Sequence, residues 1–238
     1  MGYREAVASS MAYALSTRNA MIVPTAVSPY MFHPMPTAMA LATIADVAPG
    51  RIGVAVGVGN PLFLKESGIE PIKPVRAIRE FIEALRALWT GEAVTCEGEF
   101  LQLAGARMDF VPEHPIPIYV AATREQMLRL TGRIADGVVL SGGLSVAHVK
   151  YSLARMAEGA KAAGRDPAML RAAGFLYFAV SEDGREAVDY LRGRLAFLFR
   201  NRTMADNIES SGLPIDQEAI IDAVARRDME TAKSLVPD

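Results

Sequence analysis

A chain of 238 residues is long enough to bury one sizeable core. Its 51% hydrophobic and 22% charged residues and net charge of -2 exclude the basic surface of a nucleic-acid binder and a polybasic membrane-binding helix. The single cysteine, Cys96, excludes an internal disulfide framework and agrees with a cytoplasmic setting, and no apolar run reaches the roughly 18 residues of a membrane span.

In chain order, residues 3–15 are predicted helical, with Val7, Met11, Ala14 and Leu15 on one stripe. With Arg4 and Glu5 and no long apolar stretch, residues 1–13 are not expected to be a signal peptide. Residues 20–23 are a short apolar run before Pro24 and are predicted as a strand. Pro34 opens a helix with Ala38, Leu41, Ala42 and Ala45 at helical spacing, closed by Pro49-Gly50. Met21, Met31, Met35 and Met39 cluster here and read as adaptable core filler. Residues 52–56 are continuously apolar, as in a parallel strand covered on both faces. Residues 74–89 form an amphipathic helix, with Ile78, Ile82, Leu85, Leu88 and Trp89 opposite Arg79, Glu83 and Arg86. Residues 94–103 read as a hairpin turning at Glu97-Gly98, an insertion near residues 93–104. Strands at 118–121, 138–140 and 172–180 then alternate with helices at 124–134, 146–163 and 185–199, and a more polar helical tail covers 216–235.

Strands alternating with helices imply βα units and a parallel sheet with helices outside it. About five such units are countable, fewer than the eight of a closed (β/α)8 barrel, so counting alone favours an open sheet.

Four stretches are candidates for chemistry. Gly57, Val58, Gly59 and Asn60 follow a buried strand, but the third glycine of a dinucleotide fingerprint is missing and Asn-Pro-Leu follows where its helix would begin. Spacing alone favours a strand end that needs glycine for a tight turn. Residues 23–34, V-P-T-A-V-S-P-Y-M-F-H-P, begin as a strand broken by three prolines. His33, beside Pro34, reads by itself as a helix cap or rim residue, with a pocket role as the alternative. Tyr119-Val-Ala-Ala-Thr123 puts small residues at a strand end, where a flat ligand or phosphate can approach the backbone. Ser141, Gly142 and Gly143 lie between a strand and a helix, where free N–H groups and the helix dipole favour an anion. Each alone reads as an ordinary turn. All four fall at the C-terminal ends of successive strands, where α/β folds gather ligands. His33, His114 and His148 show no metal-ligand spacing and Cys96 has no cysteine partner, so no metal site is expected.

Taken in order, V-S-P-Y-M-F-H-P, A-T-I-A-D-V-A-P-G-R-I-G-V-A-V-G-V-G-N, A-L-W-T-G-E-A-V, E-G-E-F-L-Q-L, P-I-Y-V-A-A-T and I-A-D-G-V-V-L-S-G-G resemble the luciferase-like superfamily of flavin- and deazaflavin-dependent oxidoreductases. The branch using coenzyme F-420, similar to methylenetetrahydromethanopterin reductases, is the nearest in flavour. The resemblance implies a TIM-type (β/α)8 barrel in place of the open sheet, with residues 1–238 as a single barrel domain. The barrel is expected to be partial, lacking the family's first strands and last βα unit.

The resemblance further implies hydride transfer between reduced coenzyme F-420, an 8-hydroxy-5-deazaflavin, and a small pterin-like organic substrate, in a homodimer. FMN is the alternative cofactor, in a luciferase-like monooxygenase. A non-catalytic flavin-binding or fragment protein is the other alternative. Ala26 and Val27, with Ser28 next, match a bulge whose non-proline cis peptide backs the ring. Gly57, Val58, Gly59 and Asn60 match the wall beside the ring and ribityl chain. Ala121, Ala122 and Thr123 match backbone contacts to the tail, and Ser141, Gly142 and Gly143 match its phosphate end. His33 is the pocket candidate.

Overall fold

The apolar run at 52–56 lies inside a five-stranded parallel sheet in the computed structural model, which describes residues 4–237. Tyr3, where the predicted first helix begins, and Asp238 lie outside the described residues. The sheet runs in the spatial order β1 (Thr25–Val27), β2 (Val54–Val56), β5 (Ile118–Ala121), β6 (Gly137–Leu140), β7 (Arg171–Gly174). The strands β3 (Val94–Glu97) and β4 (Gln102–Ala106) form a separate antiparallel hairpin. Among the described residues, β1 and β7 end the row and pair with no further strand. The fold is therefore α/β, with parallel strands in an unclosed row among the described residues.

The helices are α1 (Ala6–Ser16), α2 (Pro34–Val47), α3 (Pro61–Glu66), α4 (Pro74–Leu88), α5 (Glu125–Ile134), α6 (Val146–Ala162), α7 (Gly184–Phe199), α8 (Ala205–Ser211), α9 (Gln217–Ala225) and α10 (Met229–Ser234). The chain divides into two compact units, Met1–Val139 with Arg155–Ala173 and Leu140–Ala154 with Gly174–Asp238.

In the first unit Val54, Ala55 and Val56 are fully buried, which is why this strand shows no polar alternation. Leu41 and Ile44 of α2, Ile78, Phe81, Ile82 and Leu85 of α4, and Leu128 of α5 are also buried. Each contributes on the order of 1.5–3 kcal/mol of burial free energy. The Trp89 indole N–H donates to the Ala38 carbonyl at 3.2 Å, tying the end of α4 to α2. Arg51 donates to the carbonyls of Ala14 at 3.2 Å and Ala20 at 3.1 Å, holding the end of α1. Helices α5 and α6 touch backbone to backbone: a Cβ at Gly132 would sit 1.9 Å from the Met156 oxygen, and one at Gly159 would sit 2.0 Å from the Arg129 oxygen. The second unit is built on Ala196, Phe199, Ile208, Ile220, Ala223 and Ala232 from α7 to α10.

Several elements differ from their sequence expectation. The strand expected at 20–23 is a single parallel bridge between Ile22 and Ile52. Pro24 has no N–H to donate, its carbonyl accepts from the Ala55 N–H at 3.0 Å, and the strand proper starts one residue later. The strand expected at 172–180 stops at Gly174. Its last bond is Phe175 N–H to the Leu140 carbonyl at 3.3 Å, and β6 ends at Leu140, so no ladder remains to continue on. Leu15, expected on the buried stripe of α1, is 71% exposed, and Met21, Met31 and Met39 are exposed rather than core.

Candidate functional site

The site is built where β1, β2 and β5 leave the sheet at their C-terminal ends. Thr25 pairs with Ala55 and Val27 with Val56, so Ala26 is an extra residue, a β-bulge. The Thr25–Ala26 peptide is cis, one bond earlier than the Ala26–Val27 position that the resemblance assigned. Ala26 is the residue that the bulge sets apart from the ladder. Beyond it, Ser28 is buried and its hydroxyl donates to the Val58 carbonyl at 2.7 Å. The Gly57 N–H bonds the Val27 carbonyl at 3.1 Å. These two bonds fix the loop after β2 against the loop after β1.

Gly57 sits between two alanines. A Cβ added there would lie 3.0 Å from the Ala26 Cβ and 3.1 Å from the Ala121 Cβ. Gly59 has φ +106°, a conformation that a side chain would strain. Asn60 then caps α3, its carbonyl oxygen accepting from the N–H groups of Leu62 at 2.9 Å and Phe63 at 3.3 Å. Pro61 follows as the first helical residue, so the Asn-Pro-Leu that argued against a helix starts one, because proline there has no N–H to satisfy.

A cavity of about 560 Å³ opens on this rim, within the range of small-molecule sites. It brings together Ala26, Val27, Ser28 and Gly57 with Val58, Gly59, Asn60 and Ala121. Met31, Phe32 and Phe63 add apolar wall, and Arg4 and Glu5 are its charged lining residues. The Glu5 carboxylate is engaged in capping α1, accepting from Val7 N–H at 2.9 Å and Ala8 N–H at 2.6 Å. Next to Ser28, burial pushes the Tyr30 phenol above its ordinary pKa, and its hydroxyl donates to the Ile72 carbonyl at 2.6 Å. The lining suits a flat, largely apolar group more than proton transfer.

The other predicted residues stand elsewhere. Ala122 is buried and Thr123 half-buried, and neither lines the cavity. His33 is exposed and caps α2, its Nδ1 accepting from the Met35 N–H at 3.2 Å. Ser141, Gly142 and Gly143 belong to the second unit. Asn207 orders that loop, donating to the Gly143 carbonyl at 3.1 Å and accepting from the Ser145 N–H at 2.7 Å. The His148 N–H goes to the Ser145 hydroxyl at 3.1 Å. Two N–H groups near the start of α6 are thus already satisfied by side chains. A Cβ at Gly142 would lie 2.8 Å from the Tyr177 ring, and Gly143 has φ +73°. Sequence reasoning did not flag Arg4, Glu5, Phe32 or Phe63. Only Phe32 had a signal, lying in the proline-broken stretch already singled out. No group of three or more His, Cys, Asp or Glu among the described residues is placed to hold a metal ion, and none of their helices is long and apolar enough to cross a membrane.

The family profile described as luciferase-like monooxygenase matches residues 2–238. A 5,10-methylenetetrahydromethanopterin reductase of Archaeoglobus fulgidus is 36% identical over 128 residues, 54% of this chain and 38% of that protein. An F-420-dependent glucose-6-phosphate dehydrogenase of Mycolicibacterium gilvum is 36% identical over 144 residues, 58% of this chain and 43% of that protein. The matches span about two fifths of the length of these relatives. The solved coenzyme F-420-dependent tetrahydromethanopterin reductase of Methanopyrus kandleri superposes with a TM-score of 0.86 at 24% identity, over 98% of this chain and 72% of that one, a likeness of fold.

Proposed function

The chain belongs to the luciferase-like monooxygenase family, and on that footing we propose that its first-unit cavity binds a deazaflavin of the coenzyme F-420 type for hydride transfer with a small organic substrate. The observation that carries this reading is the cradle of Ala26, Gly57 and Ala121, where one added methyl group would fill the space. Side chains no larger than a methyl group, where three adjacent strands end, are what a planar ring needs to lie against the sheet edge. The residues present therefore fit the ring. When bound, such a group supplies the hydride at C5 of its ring, exchanged with an electrophilic carbon of the substrate.

The chain's own residues then have positioning roles. Ala26 and Val27 back the ring at the bulge, while Gly57, Val58 and Gly59 wall its edge. Ser28 holds the two loops in register through Val58, and Phe32, Met31 and Phe63 exclude water from the reacting face. The assignment of the tail to Ala121, Ala122 and Thr123 is supported by the resemblance in sequence. The relative from Mycolicibacterium gilvum is named for F-420 dependence, which supports the choice of cofactor. The relative from Archaeoglobus fulgidus is named for a pterin-type substrate, which supports a small organic hydride partner. A homodimer and a cytoplasmic setting complete the proposal, and a monomeric mass by sedimentation would remove the first of these.

The second reading, an FMN-dependent monooxygenase, is favoured by the family's own description. The two separate on oxygen. Under the proposal, purified protein perturbs the absorbance of oxidised F-420 at stoichiometric concentration and consumes no oxygen with reduced FMN. Oxygen uptake with reduced FMN and no response to F-420 would overturn it.

A further inference from the structure

Away from the rim cavity, the first unit carries a second concavity of about 640 Å³ between α4 and α5. Its lining is cationic on both sides: Lys73, Arg76 and Arg79 from the start of α4, and Arg129 and Arg133 from α5. No carboxylate lines it, and Val75, Leu130 and Ile134 give it an apolar floor. Rows of charge on helices are usually solvated faces whose members pair with nearby acids.

Most of the cations here do so. Glu99, reaching from the β3–β4 hairpin, pairs with both Lys73 and Arg76. Arg86 pairs with Asp136 at 2.8 Å, and Arg129 pairs with Glu125 at 3.0 Å and Glu158 at 2.8 Å. The five arginines of α4 and α5 are Arg76, Arg79, Arg86, Arg129 and Arg133. Three have carboxylate partners. The two that make no direct ion pair among the described residues, Arg79, which feels the Glu99 charge only at longer range, and Arg133, both line the groove, one on each helix. Like charges gathered around a shared concavity repel one another, and a multivalent anion would relieve that repulsion. Guanidinium groups offer planar, bidentate donors matched to phosphate and carboxylate oxygens.

We propose that the groove between α4 and α5 is a binding site for a small multivalent oxyanion, held by Arg79 and Arg133 from opposite walls. The site is independent of the rim cavity, so it stands or fails separately from the cofactor assignment.

Thermal unfolding is followed with inorganic pyrophosphate or citrate as probe, at ionic strength held constant with sodium chloride. The expected result is a saturable rise in midpoint, about 3–6 °C at ten times the half-saturating concentration. In the double variant Arg79→Gln/Arg133→Gln the half-saturating concentration rises at least tenfold. Both substitutions are at exposed helical positions, so the fold is retained. A stronger response to pyrophosphate assigns phosphate chemistry, and a stronger response to citrate assigns polycarboxylate chemistry. No saturable rise in the parent with either probe, or the same rise in the double variant, overturns the proposal. F-420 titration of the double variant, unchanged from the parent, confirms that the two sites are separate.

Discussion

Gly57→Ala adds one methyl group at the point where β2 leaves the sheet. Optimal carbon–carbon separations are about 3.5–4.0 Å. The new Cβ would stand 3.0 Å from Ala26 and 3.1 Å from Ala121. Both neighbours are alanine Cβ atoms with no rotamer to change, so relief requires movement of the β1 bulge or of the end of β5. Overpacking of this kind costs about 1–3 kcal/mol. Gly57 is not among the positive-φ residues, so alanine suits its backbone and recovers about 0.4–1 kcal/mol through the unfolded state. The net expectation is a loss of about 1.3 kcal/mol from the midpoints of these ranges, within limits of about 0 and 2.6 kcal/mol. Urea unfolding read by the fluorescence of Trp89 measures it, because this sole tryptophan lies in the same unit. In an Ala121→Gly background one of the two clashes is gone, and the same substitution costs at least about 0.5 kcal/mol less. The added methyl also occupies the cradle, so F-420 affinity falls with it. A Gly57→Ala variant as stable as the parent, with no coupling to Ala121, would refute the steric reasoning.

Ser28→Ala removes the bond to the Val58 carbonyl; a destabilisation of about 1–2 kcal/mol and faster amide exchange across residues 57–60 are expected, and unchanged exchange would show that the hydroxyl does not hold the loop. Gly159→Ala drives a Cβ to 2.0 Å from the backbone oxygen of Arg129; a loss of at least about 3 kcal/mol is expected, and a normal melting curve by circular dichroism would contradict the close α5–α6 contact. The hydrogen bond from Lys73, followed by the charge of Arg76, holds the Glu99 carboxyl below its usual value of 4.5. A depressed folded pKa stabilises above the unfolded value and is lost as pH falls through the folded one. Glu99→Gln is therefore less stable than the parent at neutral pH, and the two stability curves converge below pH 4.5; a gap that stays constant on acidification contradicts the ion-pair account.

The buried strands were legible because covering both faces leaves only apolar residues, as in Val54-Ala-Val56. Helix α4 was legible because its apolar and charged faces separate cleanly at helical spacing. What failed did so where partners decide the outcome. Residues 175–180 have the composition of a strand, but a strand needs a ladder, and β6 supplies none past Leu140. Asn60-Pro61-Leu62 counts in the sequence against a helix start, although its local chemistry is that of one. At the site, the order of motifs pointed to Ala26 to Ser28, Gly57 to Asn60 and Ala121, which share one cavity because a parallel sheet puts its C-terminal ends on one edge, whereas Ala122, Thr123 and Ser141 to Gly143 do not line it. Arg4 and Phe63 could not, because their arrival at the cavity depends on how α1 and α3 pack, which no local pattern encodes.

The most direct test of the rim cavity as a deazaflavin site is amide hydrogen exchange with and without coenzyme F-420. The account expects added protection across residues 26–28 and 57–60, which line the cavity. Saturating F-420 that leaves both segments unprotected, or protects only segments elsewhere, would contradict it.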